Sequence, residues 1–169
     1  PQKMDPAASR ETLDHSAMYI LAVAWIDGAW HHVRSYARET AHRPSTVNLW
    51  HKIRSEEISE WTQAYHHPDP DHKKFGAEVV VRCKDGAELV ERLDNPNAHY
   101  LGARPFSRSD YINKLEVLTE DLAEPSEIDR FLGLVDNLQD LSSEQVGELN
   151  LVVPEEKLED AHSDRVGIL

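Results

Sequence analysis

The chain has 169 residues, which suits one domain with a sizeable hydrophobic core and argues against two independent domains. Its 31 acidic residues outnumber 18 Lys and Arg, and a net charge of −13 repels phosphate backbones and anionic membrane surfaces. We therefore expect no nucleic-acid partner. The single Cys83 cannot form an internal disulfide, which fits a reducing compartment, and it cannot hold an iron–sulfur cluster.

The sequence also contains no segment that predicts a membrane span. The longest mainly apolar run, residues 17–26, is about half of what a bilayer requires. The N-terminus lacks the basic-then-apolar pattern of a signal peptide. We expect a soluble, cytoplasmic protein without a membrane partner. Because the sequence opens without Met, we also expect residues upstream of Pro1 in the natural protein.

A helix is predicted over residues 14–27, after a polar start at 1–10 to which we assign no element. Thr12 or Asp14 can cap this helix, since a side-chain oxygen there accepts a first-turn N–H. Its apolar residues cover more than one stripe, which predicts burial on most sides. Gly28 suits the position just after its end.

The next forty residues give weaker signals. Residues 29–40 are weakly helical, and Ser45 predicts the cap of a short helix over 46–53. A short strand is expected over 54–59, although its alternation is poor. Two prolines and several Asp residues predict a loop over 66–72, HHPDPDH.

The clearest β signal is a hairpin over residues 77–83 and 87–93. A three-residue loop with Gly86 in the left-handed region puts Cys83 opposite Ala87. A two-residue loop would mix Glu and Arg into the apolar face, so we reject it. The chosen register places these residues on one face, with Glu91 as the exception: Ala77, Val79, Val81, Cys83, Ala87, Leu89 and Leu93. Cys83 is therefore expected to be a small core residue.

Helices dominate the C-terminal part of the chain. A loop over 95–105 leads to a capping-box variant, Ser107 with Asp110, which predicts a helix start. Pro125 separates this helix from the next. The predicted helices cover 109–122, 128–138 and a stretch from Ser142 or Ser143 to about 152. Residues 154–169 are charged and poor in large apolar side chains, which predicts a loosely ordered tail.

These elements predict the α+β class. We expect a small antiparallel sheet, including the hairpin, packed on several helices in two layers. The predicted organisation is a leading segment at 1–11, one α+β domain at 12–153 and the tail at 154–169.

His15 and Tyr19 are the first candidates for chemistry. They are four residues apart, so they are expected one turn above each other on the same face of the predicted helix. A neutral imidazole and a phenol at that spacing can pass protons to and from a bound substrate if the site is partly dry. The alternative is a core tyrosine with a satisfied hydroxyl and a histidine near a helix start. The pattern alone favours that alternative.

Three further groups of polar residues have a structural and a functional interpretation. The side chains of His66, His67, Asp69, Asp71 and His72 suit zinc, but their spacing matches no closed motif, so a solvated loop is favoured and no metal is assigned. His31 and His32 point to different faces of any regular element, which favours helix-end or surface roles. Arg104 and Arg108 could grip a carboxylate, whereas capping and surface ion pairs are the favoured explanation.

Four segments in order carry a resemblance to a known family: DHSAMYILAVAWIDG, IRSEEIS, VVVRCKDG and ARPFSRSDYINKL. Together, over residues 12–150, they resemble the C-terminal part of the MmgE/PrpD family. The resemblance implies loss of water from 2-methylcitrate to give 2-methyl-cis-aconitate in propionate breakdown, without a cofactor. It leaves open related reactions on another small polycarboxylate, as in cis-aconitate decarboxylase or iminodisuccinate epimerase.

The resemblance also implies partners and site residues. Family members combine a large, all-helical N-terminal domain with a small α+β domain, and the active site lies between them. This chain resembles only the small domain, so most catalytic Asp, His and Lys residues would lie in the missing part and the isolated chain would be inactive. Tyr19 sits where the family places an active-site tyrosine, with His15 as its neighbour. The substrate would be a small di- or tricarboxylate.

Two expectations concern assembly. A domain cut from a larger enzyme exposes an apolar face, so we expect self-association, as a homodimer. The alternative to an enzyme domain is a non-catalytic binding or assembly module.

Overall fold

The computed structural model of the chain describes residues 2–162. Within them it contains nine α-helices and one two-stranded antiparallel sheet, which confirms the predicted α+β class. The chain forms two compact units. The first consists of two segments, one that ends at Ile53 and one that begins at Asn113, and the second is Arg54–Ile112. No helix of the described part is both long and apolar enough to cross a bilayer.

Four helices begin the first unit: α1 Arg10–Asp14, α2 Ala17–Asp27, α3 Arg38–His42 and α4 Pro44–Trp50. Short 3₁₀ helices cover Gln2–Met4 and Arg34–Tyr36. A core of seven side chains joins these elements: Leu13, Tyr19, Ala22, Val23, Tyr36, Ala41 and Trp50. The packing of α2 on α4 therefore fixes the first fifty residues.

The single helix predicted over residues 14–27 is wrong, because the chain breaks between α1 and α2. His15 ends α1, and Ser16 caps α2 by accepting a hydrogen bond from the Tyr19 N–H at 3.3 Å. The Ser16 hydroxyl donates to the Lys3 carbonyl at 3.0 Å, so both capacities of this buried side chain are used. The predicted end is confirmed: Gly28 has φ of 68°, in the left-handed region.

The start of α4 also differs from the prediction. Pro44 is its first residue and Arg43 precedes it, so Ser45 lies inside the first turn and does not cap the helix. Proline suits that position because it lacks the N–H that a helix start leaves unpaired. Thr46 and Trp50, four residues apart, are fully buried.

The second unit contains α5 Ser59–Tyr65, β1 Ala77–Arg82 and β2 Glu88–Leu93. The expected strand over 54–59 is wrong, since 54–58 are irregular and α5 starts at Ser59. Trp61 anchors this unit: its indole N–H donates to Asp94 at 3.1 Å, and the Arg92 guanidinium lies 4.4 Å from its ring centre. A Cβ at Gly76 would stand 2.1 Å from that ring, so only glycine fits.

The hairpin has the predicted register. Arg82 pairs with Glu88, the Cys83 N–H donates to the Ala87 carbonyl at 2.8 Å, and Gly86 has φ of 90°. The expectation that Cys83 is a core residue is wrong, because its side chain is exposed. Two strands are too few to enclose an apolar face, so even the alternating pattern leaves most of it in solvent.

The remaining helices are α6 Arg108–Leu118, α7 Pro125–Asp136, α8 Ser143–Gly147 and α9 Glu155–His162. Before α6, the Ser107 N–H donates to the Asp110 carboxylate at 2.8 Å, as the capping pattern predicts. A full capping box between Ser142 and Gln145 starts α8, as predicted. The helix predicted to reach 122 ends at Leu118, and residues 163–169 of the predicted tail lie outside the described range.

The ion pair of Glu127 and Arg130, both on α7, binds the segment that follows α8. The Arg130 guanidinium makes two hydrogen bonds to the Glu127 carboxylate, at 2.6 and 2.7 Å, and reaches the carbonyls of Glu148 and Asn150. Glu127 also accepts the Val152 N–H at 2.8 Å. The bonds from Arg130, then that from Val152, lower the pKa of Glu127 to about 2. Residues 148–152 are thereby held by charge-assisted bonds.

Candidate functional site

His15 lies exposed at the junction of α1 and α2. Its Nδ1 is 2.8 Å from the Glu11 carbonyl oxygen, and a carbonyl can only accept a hydrogen bond. This partner assigns the ring proton to Nδ1 in the neutral imidazole, which leaves the Nε2 lone pair free. The junction therefore presents an accessible proton acceptor in a fixed tautomer.

Tyr19 lies on the buried side of α2 and is fully enclosed. Its hydroxyl donates to the Ser35 carbonyl at 2.5 Å, and its ring meets the Trp50 ring edge-on at 5.0 Å between centres. Burial raises the pKa of Tyr19 to about 12, with a lowering contribution from Arg43 and a raising one from Asp27. In this conformation Tyr19 is a core tyrosine with a satisfied hydroxyl.

His15 and Tyr19 consequently do not share a face of one helix. The break at Ser16 separates them, so the stacking that a continuous helix would impose is absent. The prediction of their common face is wrong, because it assumed that the helix ran through residue 16. The geometry alone assigns neither group a part in a reaction.

The residues that precede His15 in α1 connect it to the core. The Tyr36 hydroxyl donates to the Asp14 carboxylate at 2.6 Å and accepts the Trp30 indole N–H at 3.1 Å. Burial and the bond to Asp14 raise the pKa of Tyr36 to about 12. Arg10 donates to the His32 carbonyl at 2.8 Å and lies 5.7 Å from the centre of the Tyr36 ring. These contacts hold α1, and with it His15, in place.

A second polar cluster contains His31, Arg34 and Glu120. His31 Nδ1 accepts the N–H groups of Val33 and Arg34 at 3.1 and 3.2 Å, so its Nε2 carries the proton and donates to Glu120 at 3.0 Å. Arg34 binds the same carboxylate at 3.1 Å. The bond from His31, then that from Arg34, lowers the pKa of Glu120. His31 thus has the predicted helix-end role, whereas the partner Glu120 was not predicted.

His32 stacks on His31, with ring centres 4.5 Å apart. Burial, followed by the neighbouring His31, lowers the pKa of His32. Its Nδ1 is buried and has no hydrogen-bond partner within the described chain. The two stacked rings therefore pack against each other in the loop before α3.

The loop HHPDPDH uses its polar groups on itself. Asp69 accepts the Asp71 N–H at 3.0 Å and contacts His72 at 3.0 Å, which closes the 3₁₀ turn Pro70–His72. The bond from Asp71, then that from His72, lowers the pKa of Asp69. Residues 2–162 contain no group of three His, Cys, Asp or Glu side chains that could hold a metal ion. The side chains of Asp69 and His72 are exposed to solvent, as the solvated-loop interpretation predicts.

A concavity of about 490 Å³ lies between the end of α6 and the start of α7. Its lining is strongly acidic, with Lys157 as a cation among five carboxylates: Glu116, Glu120, Asp121, Glu124 and Asp129. Such a lining repels a polycarboxylate. Arg104 and Arg108, the candidate carboxylate binders, are both exposed.

Charge is distributed unevenly along the sequence. Residues 1–53 contain six Lys and Arg, five Asp and Glu, and half of the ten histidines, whereas the rest has twelve Lys and Arg against 26 acids. The segment that carries His15 is thus close to neutral, in a chain whose excess of acid lies elsewhere. Of the two parts, this segment is the more compatible with an anionic ligand.

Comparison with known proteins gives two findings. The family described as MmgE/PrpD C-terminal domain matches residues 2–140. A protein of Saccharomyces cerevisiae (strain ATCC 204508 / S288c), named probable 2-methylcitrate dehydratase, is 33% identical over 89 residues. That alignment covers 53% of this chain and only 17% of the yeast relative, so most of the relative has no counterpart here.

Proposed function

Since the chain belongs to the MmgE/PrpD C-terminal domain family, we propose that it is the C-terminal domain of a 2-methylcitrate dehydratase-like hydro-lyase. The family match over residues 2–140 carries this proposal, and the name of the yeast relative supports the choice of substrate. The proposed reaction removes water from 2-methylcitrate to give 2-methyl-cis-aconitate. The chain spans a small fraction of that relative, so the proposal includes a further, helical domain and no activity of the chain alone.

Dehydration of a 2-hydroxy acid requires a base for a carbon-bound proton and an acid for the departing hydroxyl. His15 suits the first requirement, because the Glu11 carbonyl leaves Nε2 as the free, exposed acceptor. In the proposal the imidazole takes the proton at Nε2 and becomes a cation, which a neighbouring substrate carboxylate stabilises. The departing hydroxyl takes its proton from a second group, either Tyr19 or an acid of the further domain, and leaves as water.

Tyr19 remains in the proposal as the second candidate acid–base group. Its hydroxyl would have to leave the Ser35 carbonyl before it could meet a substrate, so its use requires movement of the 3₁₀ helix Arg34–Tyr36. His15 requires no such movement. The two residues therefore make different predictions for substitution, and the kinetics of the complete enzyme separate them.

A matched pair of variants tests His15. His42 is also exposed at a helix end, and its Nδ1 lies 2.8 Å from the Arg38 carbonyl four residues earlier, the same local geometry as His15 with Glu11. In the complete enzyme, His15→Gln should lower kcat about 100-fold, whereas His42→Gln should leave it unchanged. Equal effects of the two substitutions would remove His15 from the chemistry.

The reaction itself is tested by product analysis. The complete enzyme is incubated separately with 2-methylcitrate, citrate and cis-aconitate, and the products are identified by mass spectrometry. Loss of water from 2-methylcitrate supports the proposal. Release of CO₂ from cis-aconitate would instead establish the decarboxylase alternative. A fourth incubation, with one stereoisomer of iminodisuccinate and chiral chromatography of the product, would establish the epimerase if the other stereoisomer forms. Absence of all turnover would favour a binding or assembly module.

A further inference from the structure

The outer edge of β1 is complementary to itself. Glu78 and Arg82 stand two residues to either side of Val80 and point to the same face of the sheet. If a second copy of β1 ran antiparallel beside the first, with Val80 opposite Val80, each Glu78 would stand opposite an Arg82. Only a strand with acid and base placed symmetrically about its centre has this property.

The backbone of β1 is ready for such pairing. The bond from the Cys83 N–H to the Ala87 carbonyl shows that odd-numbered residues of β1 face β2. The N–H and C=O groups of Glu78, Val80 and Arg82 therefore point away from β2. Within residues 2–162, no backbone hydrogen bond outside the hairpin uses them. Val80 itself is 38% exposed.

We propose that two copies of this chain join through β1, about a two-fold axis at Val80, and so form a four-stranded antiparallel sheet. Val80 would exchange both of its backbone hydrogen bonds with Val80 of the second copy. Each edge would be removed from solvent by an identical edge, the isologous arrangement of most homodimers. The inference does not depend on the proposed reaction.

Charge complementarity selects a second copy as the occupant of this edge. Within one chain, Arg82 binds Glu88 at 2.7 Å, and Arg92 lies 3.8 Å from Glu78. Pairing in the proposed register extends these contacts into two rows of alternating sign across four strands. In each row the order is Glu88, Arg82, Glu78 of the second copy and Arg92 of the second copy. Two chains of net charge −13 repel each other, and these rows compensate the repulsion where they meet.

Matched proline substitutions test the edge. Val80 and Val90 are paired across the hairpin, and the N–H of each faces away from the other strand. A proline at either position therefore removes no hydrogen bond within the hairpin. In sedimentation equilibrium, the 169-residue chain should be a dimer and Val80→Pro should weaken the dimer about tenfold or more. Val90→Pro, on the edge of β2, should leave the dimer unchanged. A monomeric parent chain, or equal loss in both variants, would overturn the proposal.

Charge reversal supplies a test that misfolding cannot imitate. Glu78→Arg alone places two arginines opposite each other in the dimer, and Arg82→Glu alone places two glutamates opposite each other, so each variant should be monomeric. An equimolar mixture should recover a heterodimer. The arginine introduced at position 78 of one variant then meets the glutamate introduced at position 82 of the other, and the unchanged Arg82 meets the unchanged Glu78. Failure of the mixture to associate would refute the register.

The single cysteine allows the distance between the two copies to be measured. Cys83 is exposed, and in the proposed register the two Cys83 positions are six residue rises apart along the strands, about 20 Å. Spin labels on Cys83 should give a dipolar distance of about 20–30 Å that disappears in Val80→Pro. A longer distance, or one retained in that variant, would place the dimer contact elsewhere and refute the proposal.

Discussion

Replacement of Tyr19 by Phe removes one buried oxygen and keeps the ring. The lost hydrogen bond, 2.5 Å long, leaves the carbonyl of Ser35 unpaired, and the Ser35 residue is only 5% exposed. An unsatisfied buried acceptor costs about 1–3 kcal/mol. The ring contacts with Trp50 and Tyr36 remain, so no cavity adds to this cost. We expect the free energy of unfolding to fall by that amount, and the melting temperature by about 2–4 °C per kcal/mol.

Urea denaturation of the isolated chain measures this loss of stability. Tryptophan fluorescence monitors the unfolding, because Trp50 lies against Tyr19. Tyr65→Phe is the matched control: Tyr65 is 52% exposed, so its loss should change stability by less than about 0.5 kcal/mol. Equal stability of Tyr19→Phe and the parent chain would refute the buried hydrogen bond. In the complete enzyme, a destabilised Tyr19→Phe with unchanged kcat would exclude Tyr19 from the chemistry, whereas a loss of about 100-fold would assign it a catalytic role.

Two further predictions concern stability. Tyr19 and Tyr36 have pKa values of about 12, above the value near 10 of unfolded chains, so their stabilising contribution is complete below pH 10 and is lost as the pH rises to 12. Urea midpoints measured between about pH 9 and pH 12 should fall, and Tyr19→Phe should flatten the decline. Gly76→Ala should destabilise the chain by about 1–3 kcal/mol because its Cβ meets the Trp61 ring, whereas Gly133→Ala, with nothing within 4 Å, should stabilise α7 by about 0.5–1 kcal/mol in thermal melts.

Features fixed by neighbouring residues could be predicted from the sequence. The Lys84-Asp85-Gly86 turn demands a left-handed residue and specifies its own register, which the structure confirms. Gly28 ends α2 for the same reason, and the capping box at Ser142 starts α8 as its spacing predicts. In each case the determining contacts lie within a few residues.

Features fixed by distant residues could not be predicted. The break between α1 and α2 depends on a bond from Ser16 to Lys3, and the start of α5 at Ser59 has no side-chain cap to mark it. At the site, the partner of His31 is Glu120, 89 residues away. Ser16 is a residue type that favours helix starts, and it caps α2 through the Tyr19 N–H. Thr12 and Asp14 favour helix starts as well, so the pattern suggested one longer helix with a shared face for the two candidate residues.

Ser16 also determines how relatives of this chain should be compared. Its hydroxyl joins the carbonyl of Lys3 to the first turn of α2, directly after the residue whose imidazole contacts the Glu11 carbonyl. A relative without a hydroxyl at the next position would lack both of these bonds beside the histidine aligned with His15. The informative unit for inheritance of function is therefore the His15–Ser16 dipeptide, and identity at the histidine alone overstates the likeness.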